Sequence, residues 1–342
     1  MSFDPNAAAA PDSGVFGLPF TPDDAKVVLV PVPFEATTSY GGGTANGPEL
    51  ILECSKQVDL FDLDTGKPYV PGIAMLENPT QVRAWNDEAK ALAVPIVESG
   101  GRDVDVAALA KVNALSEKMN DWVYETTKEW LGRNKIVGVV GGDHSVPFGA
   151  IKAYAEKFPG LGVLHLDAHA DLRDAYEGFT WSHASIMFNV IKKIPGVKKL
   201  VQVGIRDFGE AEHDMILESN GRIHTFFDAR LARARLDGMP WREQVDTIVN
   251  ELPQHVYLSW DIDGLEPTLC PNTGTPVPGG LTFAQAVALL EGIVRAKKTI
   301  VGFDLNEVSD GGTGSEWDGN VGARLLYKMI GWTLVSQDLL KR

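Results

Sequence analysis

The chain has 342 residues, with 46 Asp and Glu against 31 Lys and Arg, a formal net charge of −15. That balance lacks the basic footprint of a nucleic-acid or anionic-membrane surface, while 44% apolar residues suffice for a sizeable core. Two cysteines, Cys54 and Cys270, build no disulfide framework, no apolar run nears a membrane span, and the N-terminus lacks a signal peptide's basic stretch. A cytoplasmic protein with no nucleic-acid and no membrane partner is expected.

Residues 1–22, rich in Ala, Pro, Ser and Asp, read as a flexible N-terminal arm, and residues 23–342 as one domain. A β-branched run predicts a strand over 26–33. Residues 60–102 read as an insertion of loops and a helix. A helix over 106–133, a strand over 136–140, a helix over 148–157 and a strand over 161–166 follow. Further strands are predicted over 200–205 and 222–227, then a helix over 241–251, a strand over 255–260, a helix over 283–296, a strand over 299–305 and a helix over 322–340. Strands that are nearly continuous in apolar residues and alternate with helices indicate an α/β fold with a parallel sheet covered on both faces.

Three of these strands run into residues that bind metals. The 136–140 run leads into Gly141-Gly142-Asp143-His144-Ser145, the 161–166 run into Asp167-Ala168-His169-Ala170-Asp171, and the 255–260 run into Asp261-Ile262-Asp263-Gly264. In a parallel α/β sheet the carboxyl ends open on one edge, where ligands bind. Residues two apart in an extended segment point the same way, which groups Asp167, His169 and Asp171, and likewise Asp261 with Asp263. So many anions converge only around cations, because repulsion and desolvation forbid it otherwise. Each motif alone is weak: Gly-Gly-Asp-His is most often a turn, and Asp-Ile-Asp-Gly fails as a calcium loop because Leu265 stands where the third acidic ligand belongs. Three together at strand ends point to a metal site. His165 reads as core or as a support for the site, His213, His224 and His255 have no such placement, and Cys270 reads as a small buried residue.

In this order and spacing the three motifs resemble the ureohydrolase family of arginases and agmatinases, over roughly residues 28–326. The resemblance implies a three-layer α/β/α sandwich around a mainly parallel, roughly eight-stranded sheet, with two divalent metal ions at its carboxyl edge. It assigns His144, Asp167, Asp171 and Asp261 to one ion and Asp167, His169, Asp261 and Asp263 to the other, with Asp167 and Asp261 bridging. His183, in Trp181-Ser182-His183, matches the family's proton-transfer histidine, and Glu307, in Asp304-Leu305-Asn306-Glu307, the glutamate that grips the guanidinium. The chemistry implied is hydrolysis. A guanidinium is a poor electrophile for bulk water, whereas two ions about 3.5–4 Å apart share a water and supply hydroxide at neutral pH. Asp263 is placed to accept a hydrogen bond from that hydroxide, and urea leaves with an amine or ammonia. A small cationic substrate suits a site in which hydroxide and Glu307 add negative charge to a balanced set of metals and aspartates.

The segment Leu172 to Trp181 departs from arginases towards agmatinases, and Ser39 to Pro48 resembles the branch that hydrolyses free guanidine or small alkylguanidines with nickel. Thr44, Phe179 and Trp181 join Glu307 as expected substrate-binding residues, the two rings narrowing the mouth. Free guanidine or a small relative is the expected substrate. Agmatine is the alternative, with Asp174 or Glu177 as receptor for its terminal ammonium. Ni2+ or Mn2+ is expected, since carboxylate-rich sites suit manganese while nickel binds N/O donors more tightly. The resemblance also implies a homo-oligomer, trimer or hexamer. Two rival classes are a non-catalytic metal-binding subunit paired with an active homologue, and a one-metal amide hydrolase on a similar fold. The complete set of two-metal residues opposes both.

Overall fold

The β-branched runs pack as strands because both faces of each are covered, and alternate residues supply the two faces. In the computed structural model, which describes residues 3–340, eight strands form one sheet: β1 (Val27–Val32), β2 (Ile73–Met75), β3 (Ile136–Gly141), β4 (Leu161–Leu166), β5 (Val197–Val203), β6 (Ile223–Phe226), β7 (His255–Asp261) and β8 (Thr299–Asn306). Their order is β2-β1-β3-β8-β7-β4-β5-β6, and every pairing is parallel. Along β1, Val27 and Leu29 enter one apolar cluster while Val28, Val30 and Val32 enter another across the sheet.

Helices cover both faces. They are α1 (Gly47–Ser55), α2 (Thr80–Glu98), α3 (Val106–Gly132), α4 (Phe148–Lys157), α5 (Ile186–Lys193), α6 (Glu210–Glu218), α7 (Asp228–Leu236), α8 (Trp241–Asn250), α9 (Phe283–Arg295) and α10 (Trp317–Ser336). Helices α1, α8, α9 and α10 bury their apolar residues in the first cluster, and α2 to α5 in the second, which makes three layers. Among the described residues no helix is long and apolar enough to cross a membrane.

Several elements were not expected from the sequence. β2 lies in the segment read as an insertion of loops and a helix, and its three residues are too few to show alternation. Helices α1, α5, α6 and α7 have eight or nine residues each, barely two turns in which to show a period. The segment read as an arm carries Val15, Phe16 and Leu18 into the core. There the Phe16 N–H donates to Ser55 Oγ at 2.8 Å, and the Phe16 ring packs on Tyr327. The alanines and prolines around these three residues masked them in the average composition.

Candidate metal centre

The four central strands β3, β8, β7 and β4 stand side by side, and each delivers polar residues at its carboxyl end. After β3 the chain passes so close to its neighbour that a Cβ on Gly142 would lie 1.9 Å from the Phe34 carbonyl oxygen, so glycine is required for the turn into His144. After β4 comes Asp167 to Asp171, with Asp171 at φ 54°. β7 ends at Asp261, whose Oδ1 accepts the Asp263 N–H at 2.8 Å and caps the short helical turn Ile262–Gly264. Beyond β8, Glu307 takes φ 62°, a left-handed conformation that costs about 1–3 kcal/mol outside glycine.

These side chains converge. His144 Nδ1 faces Asp167 Oδ2 at 3.0 Å, Asp261 Oδ2 at 3.4 Å and Asp171 Oδ2 at 3.7 Å. His169 Nδ1 faces Asp263 Oδ2 at 3.1 Å and Asp167 Oδ1 at 3.4 Å. Two sets of candidate donor atoms result, each within 4.8 Å: His144, His165, Asp167 and Asp171, then Asp167, His169 and Asp263. Asp167 belongs to both and presents one oxygen to each. Asp261, expected to bridge as well, faces His144 with one oxygen and gives the other to the Asp263 N–H. His165 stands in the first set in its place.

The charge balance of this cluster tests whether cations fit it. Asp167, Asp171, Asp261 and Asp263 are all buried. Burial and then the charge of Asp167 hold Asp171 well above the usual carboxylate range, and burial with Asp263 and Asp167 does the same for Asp261. For Asp167 burial is outweighed by its histidine neighbours, His165 first, which hold it well below that range. Burial opposes charge on His144 and His169 too, yet their carboxylate partners raise them to about 9 and about 12. Carboxylates that resist ionisation beside histidines that cling to protons mark a cluster short of positive charge, and its N/O donors suit divalent metal ions.

Glu307 and His183 are set beside this cluster. Glu307 is 6% exposed, its Oε1 accepts the His144 N–H at 3.0 Å, and burial with the Asp261 charge raises its pKa. A Cβ on Gly274 would lie 3.6 Å from Glu307 Oε2, so the bare glycine leaves room in front of that oxygen. His183 opens the short turn His183–Ser185, with Nε2 at 3.5 Å from Ser39 Oγ and Nδ1 buried without a hydrogen-bond partner among the described residues. Burial and then the charge on His169 push its pKa down to about 4, so it is neutral at pH 7.

Three expected substrate contacts are placed differently. The Thr44 hydroxyl donates to Glu35 Oε2 at 3.0 Å, and the same carboxylate accepts the Ala45 N–H and pairs with Lys90, so Thr44 anchors its loop. Phe179 is fully buried in the apolar cluster beneath α3 and α5. Trp181 meets the Phe148 ring edge-on at 4.8 Å, with the Lys193 ammonium over its face at 4.0 Å. Phe179 packs into the core, where burial of its ring is most favourable, and Trp181 lies half-buried against the margin of the same cluster, so these rings do not support a narrowed mouth. Sequence reading also passed over the support of His144, whose Nε2 lies 2.9 Å from Ser259 Oγ, itself a donor to Asp304 Oδ1 at 3.0 Å. The available signal was that Ser259 lies two residues before Asp261, on the same side of β7.

Comparison with known proteins relates the whole chain to one family. The model of the arginase family matches residues 25–331. The chain is 33% identical to an N(1)-aminopropylagmatine ureohydrolase of Thermus thermophilus, over 93% of this chain and 94% of that protein. It is 29% identical to the agmatinase of Pyrococcus horikoshii, over 90% and 92% respectively. Its fold superposes on the proclavaminate amidino hydrolase of Streptomyces clavuligerus with a TM-score of 0.73 and 23% identity, covering 97% of this chain and 100% of that one.

Proposed function

The chain belongs to the arginase family, hydrolases that cleave C–N bonds of guanidino compounds, and on that premise we propose that it acts on an alkylguanidine with a cationic tail through a two-metal centre. The observation that carries the metal centre is the convergence of His144 and His169, each on its own oxygen of the shared Asp167. His144, Asp167, Asp171 and Asp261 would hold one ion, and Asp167, His169 and Asp263 the other. When bound, such a pair lowers the pKa of a shared water and makes hydroxide available near neutral pH. The identity of the ions, Mn2+ or Ni2+, and a homo-oligomeric state belong to the same proposal, as does a cytoplasmic site of action.

The chain's own groups do the rest. Glu307 keeps Oε2 free to accept from the guanidinium N–H groups, and the cation relieves the repulsion that Asp261 and Asp143 exert on this carboxylate. Fixing the guanidinium there aims its carbon at the metal cluster. His183, neutral at pH 7, must first take a proton before it can deliver one to the departing nitrogen, and Ser39 lies against its Nε2.

Free guanidine was the substrate favoured by the sequence because Ser39 to Pro48 resembles the small-guanidine branch and because Phe179 and Trp181 were to narrow the mouth; the packing of the two rings withdraws the second support. The relatives named for agmatine and aminopropylagmatine favour a tailed substrate. For its distal ammonium we take Glu177 ahead of Asp174, because Glu177 Oε2 is buried without a hydrogen-bond partner among the described residues and burial raises its pKa. Urea release from guanidine, methylguanidine, agmatine and aminopropylagmatine, after loading with manganese or nickel separately, tests the proposal. A tailed compound should lead in kcat/KM, and Glu177→Gln should raise its KM while sparing guanidine. A lead of guanidine by tenfold or more would return the small-substrate reading.

A further inference from the structure

His165 lies two residues before Asp167 on β4, and the register of the sheet sets it in a row. Asp304 on β8 pairs with Ser259 on β7, Ser259 with His165, His165 with Gln202 on β5, and Gln202 with Thr225 on β6. All five side chains are buried, and buried polar groups are costly unless they find partners. From the outer end, Thr225 Oγ1 donates to Gln202 Oε1 at 2.8 Å, and Gln202 Nε2 donates to the Ala170 carbonyl at 2.7 Å. A flipped amide would turn its oxygen against that carbonyl, so the orientation of Gln202 is fixed. The same Nε2 lies 3.1 Å from His165 Nδ1, which must therefore accept. A neutral imidazole that accepts at one nitrogen carries its proton on the other, and His165 Nε2 lies 2.9 Å from Asp167 Oδ2. The other oxygen, Oδ1, accepts the His169 N–H at 2.6 Å. Asp167 Oδ2 faces His144 Nδ1 as well, at 3.0 Å, so once His144 gives up its proton each oxygen of Asp167 holds one N–H and keeps capacity for a cation.

We propose that His165, oriented by Gln202 and Thr225, is a positioning residue that donates Nε2–H to Asp167 and fixes the carboxylate shared by the two donor sets, and that it is not itself a metal ligand. This rests on the two-metal reading of the site. Geometry alone would also admit His165 into the first donor set, but a protonated Nε2 has no lone pair for a metal. The Gln202 amide decides between the two roles.

The test is metal affinity rather than turnover. The stripped full-length chain is titrated with manganese chloride against a competing chelator in the wild type, His165→Leu, His165→Gln and Gln202→Leu, and circular dichroism of each stripped protein confirms the fold. Wild type should take two ions per chain. His165→Leu should weaken binding by about 10–100-fold, the usual effect of losing a group that orients a ligand. His165→Gln, which still carries a donor N–H at similar reach, should recover most of that loss, and Gln202→Leu should weaken binding because the imidazole tautomer is no longer imposed. Unchanged affinity in His165→Leu, with two ions bound by wild type, overturns the proposal alone. A His165→Gln as damaged as His165→Leu, beside an unaffected Gln202→Leu, overturns it in favour of direct ligation. A wild type that binds fewer than two ions overturns the metal reading and the proposal with it.

Discussion

At Glu307 a carboxylate sits almost sealed from solvent in a strained backbone conformation, among other carboxylates. Such a placement is unfavourable until a cation arrives, and a guanidinium would supply one. Glu307→Gln keeps the shape and removes the charge. Charge-assisted hydrogen bonds contribute about 1.5–3 kcal/mol, so kcat/KM should fall by about 10–100-fold with metal content by elemental analysis unchanged. Protons tell a second story at this scale. In the metal-free chain His144 is raised from 6.5 to about 9, so it binds its proton more tightly folded than unfolded. Its contribution to stability is complete below about pH 6.5 and disappears as pH rises through about 9. The stripped chain should therefore lose stability to urea over that window. Metal must displace the same proton, so affinity should rise over it, measured by chelator competition at pH 6.5 and 8.5. Affinity that falls with pH would contradict the ligand role of His144.

The strands and the turns that follow them set those residues in place, and two glycines show how. A Cβ on Gly142 would meet backbone, the Phe34 carbonyl oxygen at 1.9 Å, which has no rotamer by which to move aside. Gly142→Ala should therefore destabilise the stripped chain by about 3 kcal/mol or more, read from urea unfolding. At Gly274 the Cβ would sit 3.6 Å from Glu307 Oε2 and 3.1 Å from the Tyr40 carbonyl oxygen, a tight fit but not an impossible one. Gly274→Ala should keep fold and metals and raise KM by crowding the guanidinium at Oε2. Trp181→Ala should leave KM as it was. Its ring packs on Phe148 under Lys193, so the substitution should lower stability and leave the order of preference among guanidino compounds as it was.

For the whole molecule the proposed metal centre would act as a clasp. Its donors come from β3, β4 and β7, with Glu307 after β8, and these strands are adjacent in space though spread along the chain from residue 136 to residue 306. Ions that bind only the folded state stabilise it by mass action, about 2.7 kcal/mol for each site at a free concentration one hundred times its Kd. Stripping the chain with a chelator should lower its melting temperature by several degrees, and manganese or nickel should restore it. A melting curve indifferent to verified metal removal would mean that the carboxylates are less crowded than His144 and its three neighbours indicate.

Much of this was legible in the chain itself. Strand periods and the residues that close each strand are local properties, so seven of the eight strands and the three candidate metal motifs could be found from neighbours alone, and the parallel topology forced their carboxyl ends to one edge. What the sequence could not decide was non-local. That β7 and β8 insert between β3 and β4, bringing Asp261 and Asp263 against His144 and His169, depends on strand order. That Phe179 and Trp181 face the core and not the mouth depends on which side of the chain finds α3, α4 and α5. The tautomer of His165 depends on Gln202, 37 residues away and adjacent only through the register of β4 and β5. A side chain's chemistry is written in its own residue, but its protonation, direction and exposure are set by whichever neighbours the fold brings to it.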